Sequence, residues 1–453
     1  MTAGETQVQK SIRDEWSRDP GASQLPAAVD VAIIGGGIVG AAASFFLARA
    51  GVSVLLCEKG RIAGEQSGRN WGWVRQQGRS PVELPLMIRS LALWRTLKKD
   101  LGADLDFAQG GSTYLATDAA QLESFRPWLA IARAHQLDTR LLTSSELGTV
   151  LKSGNERWAG GMHTASDGRA EPNRAAPAIV RGAERAGAII RTGCAVRGIE
   201  CAAGRVHAIV TEHGAVRTST VLCAGGAWTS LFCRSLDIEV PQLLVKGTVA
   251  RIAPTTALLE GEAWSHDVAI RRRQDGGYTV ARGSALEHAL TPATFRYLRK
   301  FWPAMRQEQG AVRLRLGRDF LHAAMTPRRW GLSDESPFER ERMLDPAADT
   351  RDLHALGDAI SRRFPEIAGA PILESWAGLI ESSPDVLPII SASERIEGFF
   401  IATGFSGHGF GIGPGAGELV ARMLTKRASS DELAPFRLGR FYDGSPIRPG
   451  PTI

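Results

Sequence analysis

The chain has 453 residues, 43% of them hydrophobic, and a formal net charge of +6. This composition excludes a disordered or fibrous protein and favours a folded α/β enzyme with two lobes. No apolar run reaches the roughly 18 residues of a membrane span, and the first residues are too polar for a secretory signal. The 5 cysteines show no metal-ligand or disulfide pattern, and the scattered arginines argue against nucleic-acid binding. We therefore predict a cytoplasmic protein without a metal site.

The stretch from Asp30 to Glu58 predicts the central unit of the fold. Mostly apolar residues at 31–34 predict a buried parallel strand, and consecutive glycines then end it in a tight turn. Small apolar residues over 38–50 predict a helix packed flat on the sheet, and residues 52–57 predict a second buried strand. This order of strand, turn, helix, strand and terminal acid is typical of a dinucleotide-binding unit.

Each glycine of this turn has a physical role in a dinucleotide site. Gly35 permits the turn, Gly37 lets the backbone approach a pyrophosphate, and Gly40 lets helix and strand touch. The carboxylate of Glu58 would accept a hydrogen bond from a ribose hydroxyl and would repel a 2′-phosphate. The sequence therefore predicts FAD or NAD rather than NADP, and the alternative is an ordinary glycine-rich turn in an α/β unit.

The next part of the chain alternates helices and strands. Helices are predicted from Pro81 to about Gly102, from about 118 to 135, and onward from Pro172. Apolar strands then follow one another closely from 188 to 224. This spacing predicts a small antiparallel layer that returns to the main sheet at its end.

The second half of the chain ends in another glycine-rich turn. Strands are predicted over 240–280, followed by helical and irregular stretches to about Gly369. The stretch from Gly398 to Leu424 then predicts a buried strand at 399–403, a glycine-rich turn and a helix of small residues. This turn brings a second helix N-terminus to the nucleotide sheet. A long cofactor such as FAD must be held at both ends, whereas a simple NAD dehydrogenase needs no such element.

These elements predict an α/β fold with a Rossmann-type FAD-binding domain and a β-sheet-rich substrate domain of α+β type. Both domains are predicted to be discontinuous in sequence. The predicted boundaries are an N-terminal arm at 1–28, an FAD-binding domain at 29–80, 150–240 and 350–435, a substrate domain at 81–149 and 241–349, and a C-terminal tail at 436–453.

Several motifs, taken in order, resemble those of the D-amino-acid, glycine and sarcosine oxidases and their dehydrogenase relatives. They are DVAIIGGGIVGAAASFFLARAG, SGRNWGW, VRTSTVLCAGGAW, SSPDVLPII and ATGFSGHGFG. The resemblance covers nearly the whole chain after the arm and implies a flavoprotein with a nucleotide lobe and a β-rich substrate lobe. It also implies oxidation of the C–N bond of an amino acid or secondary amine by hydride transfer to flavin N5, followed by hydrolysis of the imine.

The resemblance also implies which residues bind FAD. The alternative for Val196 is plain strand core, and the alternative for Ser67 and Asn70 is capping within their own loop. Trp71 and Trp73 are either flat walls for an aromatic ring or simple packing. The predicted cofactor-binding residues are Gly35, Gly37, Ile38, Val39, Gly40, Glu58, Lys59, Ser67, Gly68, Arg69, Asn70, Trp71, Val196, Ala224, Gly225, Trp228, Gly404, Gly407, His408 and Gly409.

The sequence departs from this family at the positions of flavin attachment and substrate anchoring. Gly378 stands where sarcosine oxidases attach flavin through a cysteine, and GEQSGRNWGW holds no histidine. We therefore predict noncovalent FAD. The anchoring lysine of one branch corresponds here to Gly411, and the anchoring arginine of another corresponds to a position near Gly407. Neither anchor is present, so substrate binding must use other residues.

We predict that Arg75 binds a substrate carboxylate, because a guanidinium fork orients a carboxylate best. Arg69, Arg79 and Arg282 are rivals, and a surface salt bridge is the alternative for each of them. His408 is the histidine in a catalytic setting, and we name it with Arg75 as a catalytic candidate. The alternative for His408 is a hydrogen bond to loop backbone.

The electron acceptor is predicted from a missing cation. The oxygen-activating lysine of sarcosine oxidase corresponds loosely to Thr279, and its loss favours a dehydrogenase because a cation beside reduced flavin stabilises superoxide.

Two alternatives stay open, a flavoprotein subunit that passes electrons to a partner and a flavoenzyme that oxidises a C–OH bond. We predict a small amine or amino acid as substrate and no nucleic-acid partner, and the sequence leaves the oligomeric state open.

Overall fold

The computed structural model describes residues 25–154, 157–307 and 310–450. Most of the predicted N-terminal arm, 1–28, lies outside the described residues, as does the end of the predicted tail, 451–453. The described part of the chain forms a mainly parallel sheet flanked by helices, a large mainly antiparallel sheet and two small sheets.

Strands and helices are numbered here in chain order. The strands are β1 (Val31–Ile34), β2 (Val54–Cys57), β3 (Trp73–Val74), β4 (Ala108–Gln109), β5 (Ser112–Ala116), β6 (Thr139–Thr143), β7 (Gly160–Thr164), β8 (Gly168–Arg169), β9 (Ile189–Arg191), β10 (Val196–Ala202), β11 (Arg205–Thr211), β12 (Gly214–Arg217), β13 (Val221–Cys223), β14 (Leu243–Ile252), β15 (Glu262–Trp264), β16 (Ala269–Arg272), β17 (Tyr278–Ala289), β18 (Val312–Arg315), β19 (Ile372–Ser382), β20 (Ile389–Ala392) and β21 (Phe399–Thr403). The α-helices are α1 (Ile38–Arg49), α2 (Gln66–Arg69), α3 (Leu84–Leu101), α4 (Ala119–Ser124), α5 (Arg126–Ala134), α6 (Ser144–Leu147), α7 (Pro172–Arg185), α8 (Thr229–Ser235), α9 (Pro292–Gln307), α10 (Arg318–Met325), α11 (Pro337–Arg340), α12 (Thr350–Arg363), α13 (Gly409–Leu424) and α14 (Ser430–Leu433). Short 3₁₀ helices lie at Gly226–Trp228, Pro365–Ile367, Ala434–Phe436 and Leu438–Phe441.

The nucleotide lobe is built on a sheet with the strand order β20, β21, β13, β1, β2, β9. All neighbouring pairs are parallel except β20 and β21, which are antiparallel. Strands β1 and β2 are apolar and almost entirely buried, as expected for parallel strands covered on both faces. Ile34 at the end of β1 pairs with Cys223 at the end of β13, so the loops that follow these strands are neighbours.

Helices α1, α3, α7 and α13 share one apolar core with this sheet. Small residues let the helices approach closely, and a Cβ placed on Gly417 of α13 would lie 2.4 Å from Ala42 Cβ of α1. Ser90 and Trp94 of α3 donate hydrogen bonds to the carbonyl of Gly411 at 2.7 and 2.8 Å. A second core joins the nucleotide sheet to α8 and to the three-stranded layer β10, β11, β12. The predicted small antiparallel layer is therefore present.

The substrate lobe is built on a sheet with the strand order β19, β14, β17, β16, β15, β5, β7, β6, and β18 pairs with β17. Its pairs are antiparallel except β15 with β5 and β17 with β18. The long ladder between β14 and β19 runs from the pair Leu243 and Ser382 to the pair Ile252 and Ile372. Helix α12 shares an apolar core with this sheet.

The predicted α/β class with a Rossmann-type sheet is confirmed, and two local predictions differ from the structure. The predicted helix at 118–135 is two helices, α4 and α5, because the ring of Pro127 removes a donor and clashes with the preceding turn. The stretch predicted as helical and irregular before Gly369 also contains the end of β17 and all of β18. These strands carry too little alternation of apolar and polar residues to be recognised locally.

Several elements lie outside the lobe to which the predicted boundaries assign them, among them helix α12, which falls within 350–435 yet shares its core with the substrate-lobe sheet. Strands β7 and β19 fall within 150–240 and 350–435, yet both belong to the sheet of the substrate lobe. Helix α3 falls within 81–149, yet it shares its core with the nucleotide lobe. Strand partners decide this placement, since β7 lies between β5 and β6 and β19 forms a long ladder with β14. Local patterns carry no information about such partners.

Candidate active site

A cavity of about 810 Å³ is lined by residues of both lobes. Its walls include the loops after β1, β2 and β13, helix α2, strands β14, β17 and β19, and the loop before α13. The loops after β1, β2 and β13 follow the carboxyl ends of parallel strands, where open α/β sheets bind their ligands. The cavity therefore combines a nucleotide-binding position with walls from the second lobe.

The first glycine-rich turn has the backbone geometry that the sequence predicts. Gly35 has a φ of +108°, and a Cβ on Gly40 would lie 2.1 Å from the carbonyl oxygen of Gly35. The N-terminus of α1 opens at the cavity, where Gly37 and Ile38 line the wall. The backbone N–H of Ile38 donates to Ser67 Oγ at 2.9 Å. The N-terminal N–H groups of a helix attract an anion. Helix α1 has no acidic residue in its first turn to satisfy that attraction, so a bound anion can do so.

Glu58 ends β2 with its carboxyl group held by main-chain donors. Its oxygens accept from Gly36 N and Gly60 N, each at 2.7 Å. Burial raises the pKa of Glu58, and these two hydrogen bonds oppose that rise. Each carboxyl oxygen still has a second lone pair, so Glu58 can accept a further hydrogen bond from a ribose hydroxyl.

Lys59 connects this end of the cavity to a distant segment. Its ammonium group donates to Glu65 Oε1 at 3.0 Å and to the carbonyls of Glu341 and Arg342 at 3.1 and 2.7 Å. In return, Arg342 Nη1 donates to the carbonyl of Lys59 at 2.8 Å. The ammonium also lies 4.3 Å from the ring centroid of Trp228. Lys59 therefore fixes a structural junction beside the cavity that it lines.

Helix α2 and the residue after it are held by their own hydrogen bonds. Asn70 Nδ2 donates to the carbonyls of Gln66 and Ser67, and its Oδ1 accepts from Gly72 N. Asn70 therefore caps its own loop, as the alternative interpretation expected, although it also lines the cavity. Arg69 is engaged with Asp345 at 2.6 Å, which weakens it as a rival for substrate binding.

Most of the predicted cofactor-binding residues line the same cavity. Val196 is a buried strand residue, as the strand-core alternative expects, and it also belongs to the wall, so a contact with the cofactor stays a prediction. The predicted residues that line the cavity are Gly35, Gly37, Ile38, Val39, Glu58, Lys59, Ser67, Arg69, Asn70, Trp71, Val196, Ala224, Gly225, Trp228, Gly407 and Gly409, together with Arg75. The predicted residues that lie behind the lining are Gly40, Gly68, Gly404 and His408.

His408 lies behind the wall in a buried pair with Glu83. The two side chains are 3% and 0% exposed, and His408 Nδ1 lies 3.0 Å from Glu83 Oε2. Burial lowers the pKa of His408 to about 4, so we assign a neutral imidazole that donates its Nδ1 proton to the carboxylate. Burial alone would raise the pKa of Glu83, but His408 and Arg79 outweigh it and lower that pKa.

Two buried arginines lie at the substrate side of the cavity. Arg75 donates from Nη1 to the carbonyl of Gln77, and its guanidinium lies 5.7 and 5.5 Å from the ring centroids of Trp73 and Tyr114. Arg79 donates from Nε to the carbonyl of Arg75 at 3.3 Å, but its buried Nη1 has no hydrogen-bond partner among the described residues. Burial lowers the pKa of Arg79 to about 10. Arg79 therefore stays charged at neutral pH.

Sequence analysis did not identify several buried carboxyl groups around this site. Asp167 accepts from the backbone N–H of Gln76 at 2.7 Å, and burial raises the pKa of Asp167 to about 6. Neither oxygen of buried Glu262 has a hydrogen-bond partner in the part of the chain that the structure describes, and burial raises the pKa of Glu262 strongly. Glu381 lines the cavity itself. These residues follow no motif spacing, so a single sequence offered no signal for them.

Thr279 does not lie where a residue beside the flavin is expected. Its hydroxyl accepts from Arg271 Nη2 and Arg273 Nη1 at 3.0 and 3.1 Å, and it is absent from the cavity lining. Among the described residues, Lys59 is the lysine that lines the cavity. Gly378 belongs to the wall, and a Cβ there would lie 3.4 Å from Arg69 Cβ.

The described residues provide neither a metal-binding cluster nor a membrane-spanning helix. They contain no group of three or more His, Cys, Asp and Glu side chains placed to hold a metal ion. Within the same ranges, no helix combines the length and the apolar character that crossing a bilayer requires.

Comparison with known proteins decides the family. Residues 30–423 match the family model DAO, described as FAD dependent oxidoreductase. The chain belongs to this family. The predicted resemblance is therefore confirmed, and FAD is the cofactor. The residues present fit FAD, because the open N-terminus of α1 and the close-packed glycines suit a pyrophosphate, and the second glycine-rich turn supplies another wall of the same cavity.

Individual relatives place the chain within this family. The L-amino acid deaminase of Proteus myxofaciens, solved with anthranilate, is 32% identical with a TM-score of 0.89, over 92% of this chain and 95% of that one. Glycine oxidase of Geobacillus kaustophilus is 25% identical over 91% of this chain and 97% of its own length. Mitochondrial sarcosine dehydrogenase of Mus musculus is 24% identical over 92% of this chain but only 42% of its own length. The chain thus spans less than half the length of that relative.

Proposed function

We propose that this FAD-dependent oxidoreductase oxidises the C–N bond of an amino acid or N-alkyl amino acid, and that Arg75 binds the substrate carboxylate. The observation that carries the proposal is the presence of buried, charged Arg75 and Arg79 in the same cavity as the nucleotide-binding loops. The three relatives named above are an L-amino acid deaminase, a glycine oxidase and a sarcosine dehydrogenase, and all three names refer to amino acids. This agreement supports the substrate class.

Arg75 is held in a way that suits a carboxylate. The rings of Trp73 and Tyr114 lie against its guanidinium, which fixes the fork and leaves other edges for a ligand. The indole side chains of Trp71 and Trp264 also line the cavity and help to exclude water from it. Exclusion of water strengthens the attraction between the guanidinium and a carboxylate. FAD, when bound, accepts the hydride, so these residues need only orient a neutral amine.

We assign His408 a positioning role instead of contact with substrate. It does not line the cavity, and its neutral ring donates to Glu83. The charge of Glu83 in turn supports the charged state of Arg79. His408 therefore acts on the substrate side through Glu83 and Arg79.

The assignment of Arg75 is tested with two arginine variants and two kinds of substrate. Arg75→Ala should raise the KM of the best amino acid substrate by about 30-fold to several thousand-fold, since a buried charge pair is worth about 2 to 5 kcal/mol and every 1.4 kcal/mol is tenfold. The KM for the corresponding amine without a carboxylate should stay the same. Arg282→Ala is the matched control, because Arg282 also lines the cavity but is one-third exposed and lies near Asp352. A larger effect for Arg282→Ala would show that the assignment is wrong.

The substrate class is tested by reduction of the bound flavin without oxygen. The purified protein is mixed anaerobically with D-amino acids, L-amino acids, N-alkyl amino acids and glycerol 3-phosphate in separate reactions. We expect bleaching of the flavin absorption by one amino acid pool only. Reduction by glycerol 3-phosphate alone would instead support the oxidation of a C–OH bond.

We further propose a dehydrogenase that uses an acceptor other than oxygen. Within the described residues, the cavity lining has Lys59 as its lysine, and that ammonium is engaged with Glu65. Among the residues that the structure describes, no other lysine lines the cavity in a position to stabilise superoxide. Rapid formation of hydrogen peroxide in air would contradict this proposal.

A second candidate function is that of a flavoprotein subunit that passes electrons to a partner. Apolar side chains on and near α9 and α10 are unusually exposed, including Leu316 at 74%, Met325 at 74% and Phe295 at 61%. One relative, from Arthrobacter, is named sarcosine oxidase subunit beta. Full activity of the isolated chain with an artificial dye, and none with oxygen, would support an external acceptor.

Noncovalent attachment of FAD and a cytoplasmic location stay predictions. Flavin that remains with acid-precipitated protein would contradict noncovalent attachment.

A further inference from the structure

Two polar atoms in the cavity wall have no hydrogen-bond partner among the described residues. They are Nε2 of Gln66 and Oε2 of Glu381, both buried, and both residues line the cavity. Glu381 is only 3% exposed, and its other oxygen accepts from Phe405 N at a long 3.4 Å. A buried polar group without a partner costs about 1 to 3 kcal/mol. A donor and an acceptor left unpaired in the same wall therefore indicate a ligand that completes both.

The two residues lie between the predicted ends of the FAD site. Gln66 begins α2, and the next residue, Ser67, contacts the start of α1 at the predicted pyrophosphate position. The carbonyl of Glu381 accepts from Ser406 N at 3.0 Å, in the loop predicted to face the flavin pyrimidine. The part of FAD between pyrophosphate and flavin ring is the ribityl chain. Its hydroxyl groups both donate and accept hydrogen bonds, which matches the two unpaired atoms.

We propose that Gln66 and Glu381 together bind the ribityl hydroxyls of FAD, and that Glu381 does so as a neutral carboxylic acid. FAD binding is then coupled to one proton on Glu381. The inference rests on FAD as the cofactor and on the predicted position of its two ends. It does not depend on which amino acid is the substrate or on the role of Arg75.

The surroundings of Glu381 favour its neutral form. Burial raises the pKa of Glu381 to about 7, and the charge of Glu65 raises it further. The backbone N–H of Phe405 and the nearby side-chain amide of Gln66 both lower the pKa of Glu381 and so oppose that rise. The Gln66 amide nitrogen lies close to the carboxyl group but does not form a hydrogen bond with it. The other charged groups on the neighbouring elements are engaged elsewhere: Lys59 with Glu65, Arg69 with Asp345, Lys246 with Glu287 and His408 with Glu83.

The ionised form of Glu381 is the wrong partner for FAD. A carboxylate can accept from a ribityl hydroxyl, as Glu58 can from a ribose hydroxyl, but it cannot donate to one, and its charge would be repelled by a pyrophosphate at the predicted position. If only the neutral form binds FAD, one proton that titrates near pH 7 makes the dissociation constant about tenfold larger at pH 8 than at pH 6. FAD should therefore bind more weakly as the pH rises through 7.

The experiment measures the FAD dissociation constant of the apoprotein between pH 6 and pH 8.5 from the change in flavin fluorescence. For the unchanged protein we expect the roughly tenfold weakening derived above. Glu381→Gln should bind FAD tightly with no such change, because an amide donates at every pH. Gln66→Leu should bind FAD more weakly at every pH and should still bind it more weakly as the pH rises, with the change displaced to higher pH because the amide that lowers the pKa of Glu381 is gone. Glu262→Gln is the matched control, since Glu262 is buried with a raised pKa but does not line the cavity.

The outcomes separate this inference from the proposed function. A dissociation constant of the unchanged protein that does not vary with pH overturns the inference and leaves FAD-dependent amine oxidation intact. The same holds if Glu381→Gln keeps the full pH dependence, or if Glu262→Gln removes it. If Glu381→Gln fails to fold, Gln66→Leu and the unchanged protein still decide the matter. Failure of every form to bind FAD would instead contradict the cofactor assignment.

Discussion

The two ends of the cavity are built in different ways. At the nucleotide end, glycines and main-chain groups make the site, as where Gly40 touches the carbonyl of Gly35 and Gly36 N holds Glu58. At the predicted substrate end, buried polar side chains make the site, and His408 lies 325 positions from Glu83 in the sequence, whereas Arg79 and Glu83 are close together in the chain. We therefore expect an added side-chain atom to disrupt the nucleotide end, and the loss of one charged side chain to disrupt the substrate end.

The largest effect is expected at the nucleotide end. Gly40→Ala places a Cβ 2.1 Å from the carbonyl oxygen of Gly35, so strand and helix must separate where the pyrophosphate binds. We expect loss of bound FAD, seen as loss of the flavin absorption in the purified protein. Gly357→Ala in α12 is the matched control, because a Cβ there meets nothing within 4 Å. A yellow Gly40→Ala protein with normal FAD content would show that this contact is not needed.

The next effect is expected at the substrate end, from removal of one charge. Glu83→Ala leaves Arg79 without its nearby carboxylate and His408 without its hydrogen-bond acceptor. Loss of one partner of a buried charge pair costs about 3 to 5 kcal/mol of unfolding free energy, measured by denaturant unfolding. Glu123→Ala, which removes an exposed pair with Arg126, should cost much less, because solvent screens an exposed ion pair. Equal losses of unfolding free energy for the two variants would contradict the expectation that a buried carboxylate at the substrate end matters more than an exposed one.

A smaller effect that depends on pH is expected for the apoprotein of Glu381→Gln. The pKa of Glu381 is raised from 4.5 to about 7 in the folded protein, so its stabilising contribution is full below pH 4.5 and is lost as the pH rises through 7. Relative to the unchanged protein, Glu381→Gln should therefore gain unfolding free energy over this range, up to about 3 kcal/mol. Thermal unfolding at pH 5 and pH 8 checks the sign. A gain at pH 5 instead of pH 8 would contradict it.

The smallest effect is expected where the nucleotide end uses a side chain for capping. Asn70→Ala loses the hydrogen bonds to the carbonyls of Gln66 and Ser67, which should cost about 1 kcal/mol of unfolding free energy. If Asn70 only caps its loop, the FAD dissociation constant should change by less than about tenfold, the factor that 1.4 kcal/mol corresponds to. A larger change would show that Asn70 also contacts the cofactor.

The same contrast explains how much the sequence could predict. The unit from Asp30 to Glu58 is local, so glycine spacing and apolar runs were enough to predict its strands, helix and acid. The pair of Glu83 and His408 joins residues 325 positions apart, and no local pattern specifies that contact. His408 was consequently proposed for catalysis, although it lies behind the wall. The predicted domain boundaries missed β7 and β19 for the same reason, since the choice of strand partners is made in three dimensions.

The reciprocal contacts between Lys59 and Arg342 bear on how the cofactor comes and goes. Lys59 Nζ binds the carbonyl of Arg342, and Arg342 Nη1 binds the carbonyl of Lys59, while Met343 lines the cavity beside them. These reciprocal contacts lie beside the predicted nucleotide end of the cavity. We therefore expect the rate of FAD release to depend on how fast the segment around Arg342 separates from Lys59. A variant of this segment could then change the residence time of FAD without an equal change in its affinity.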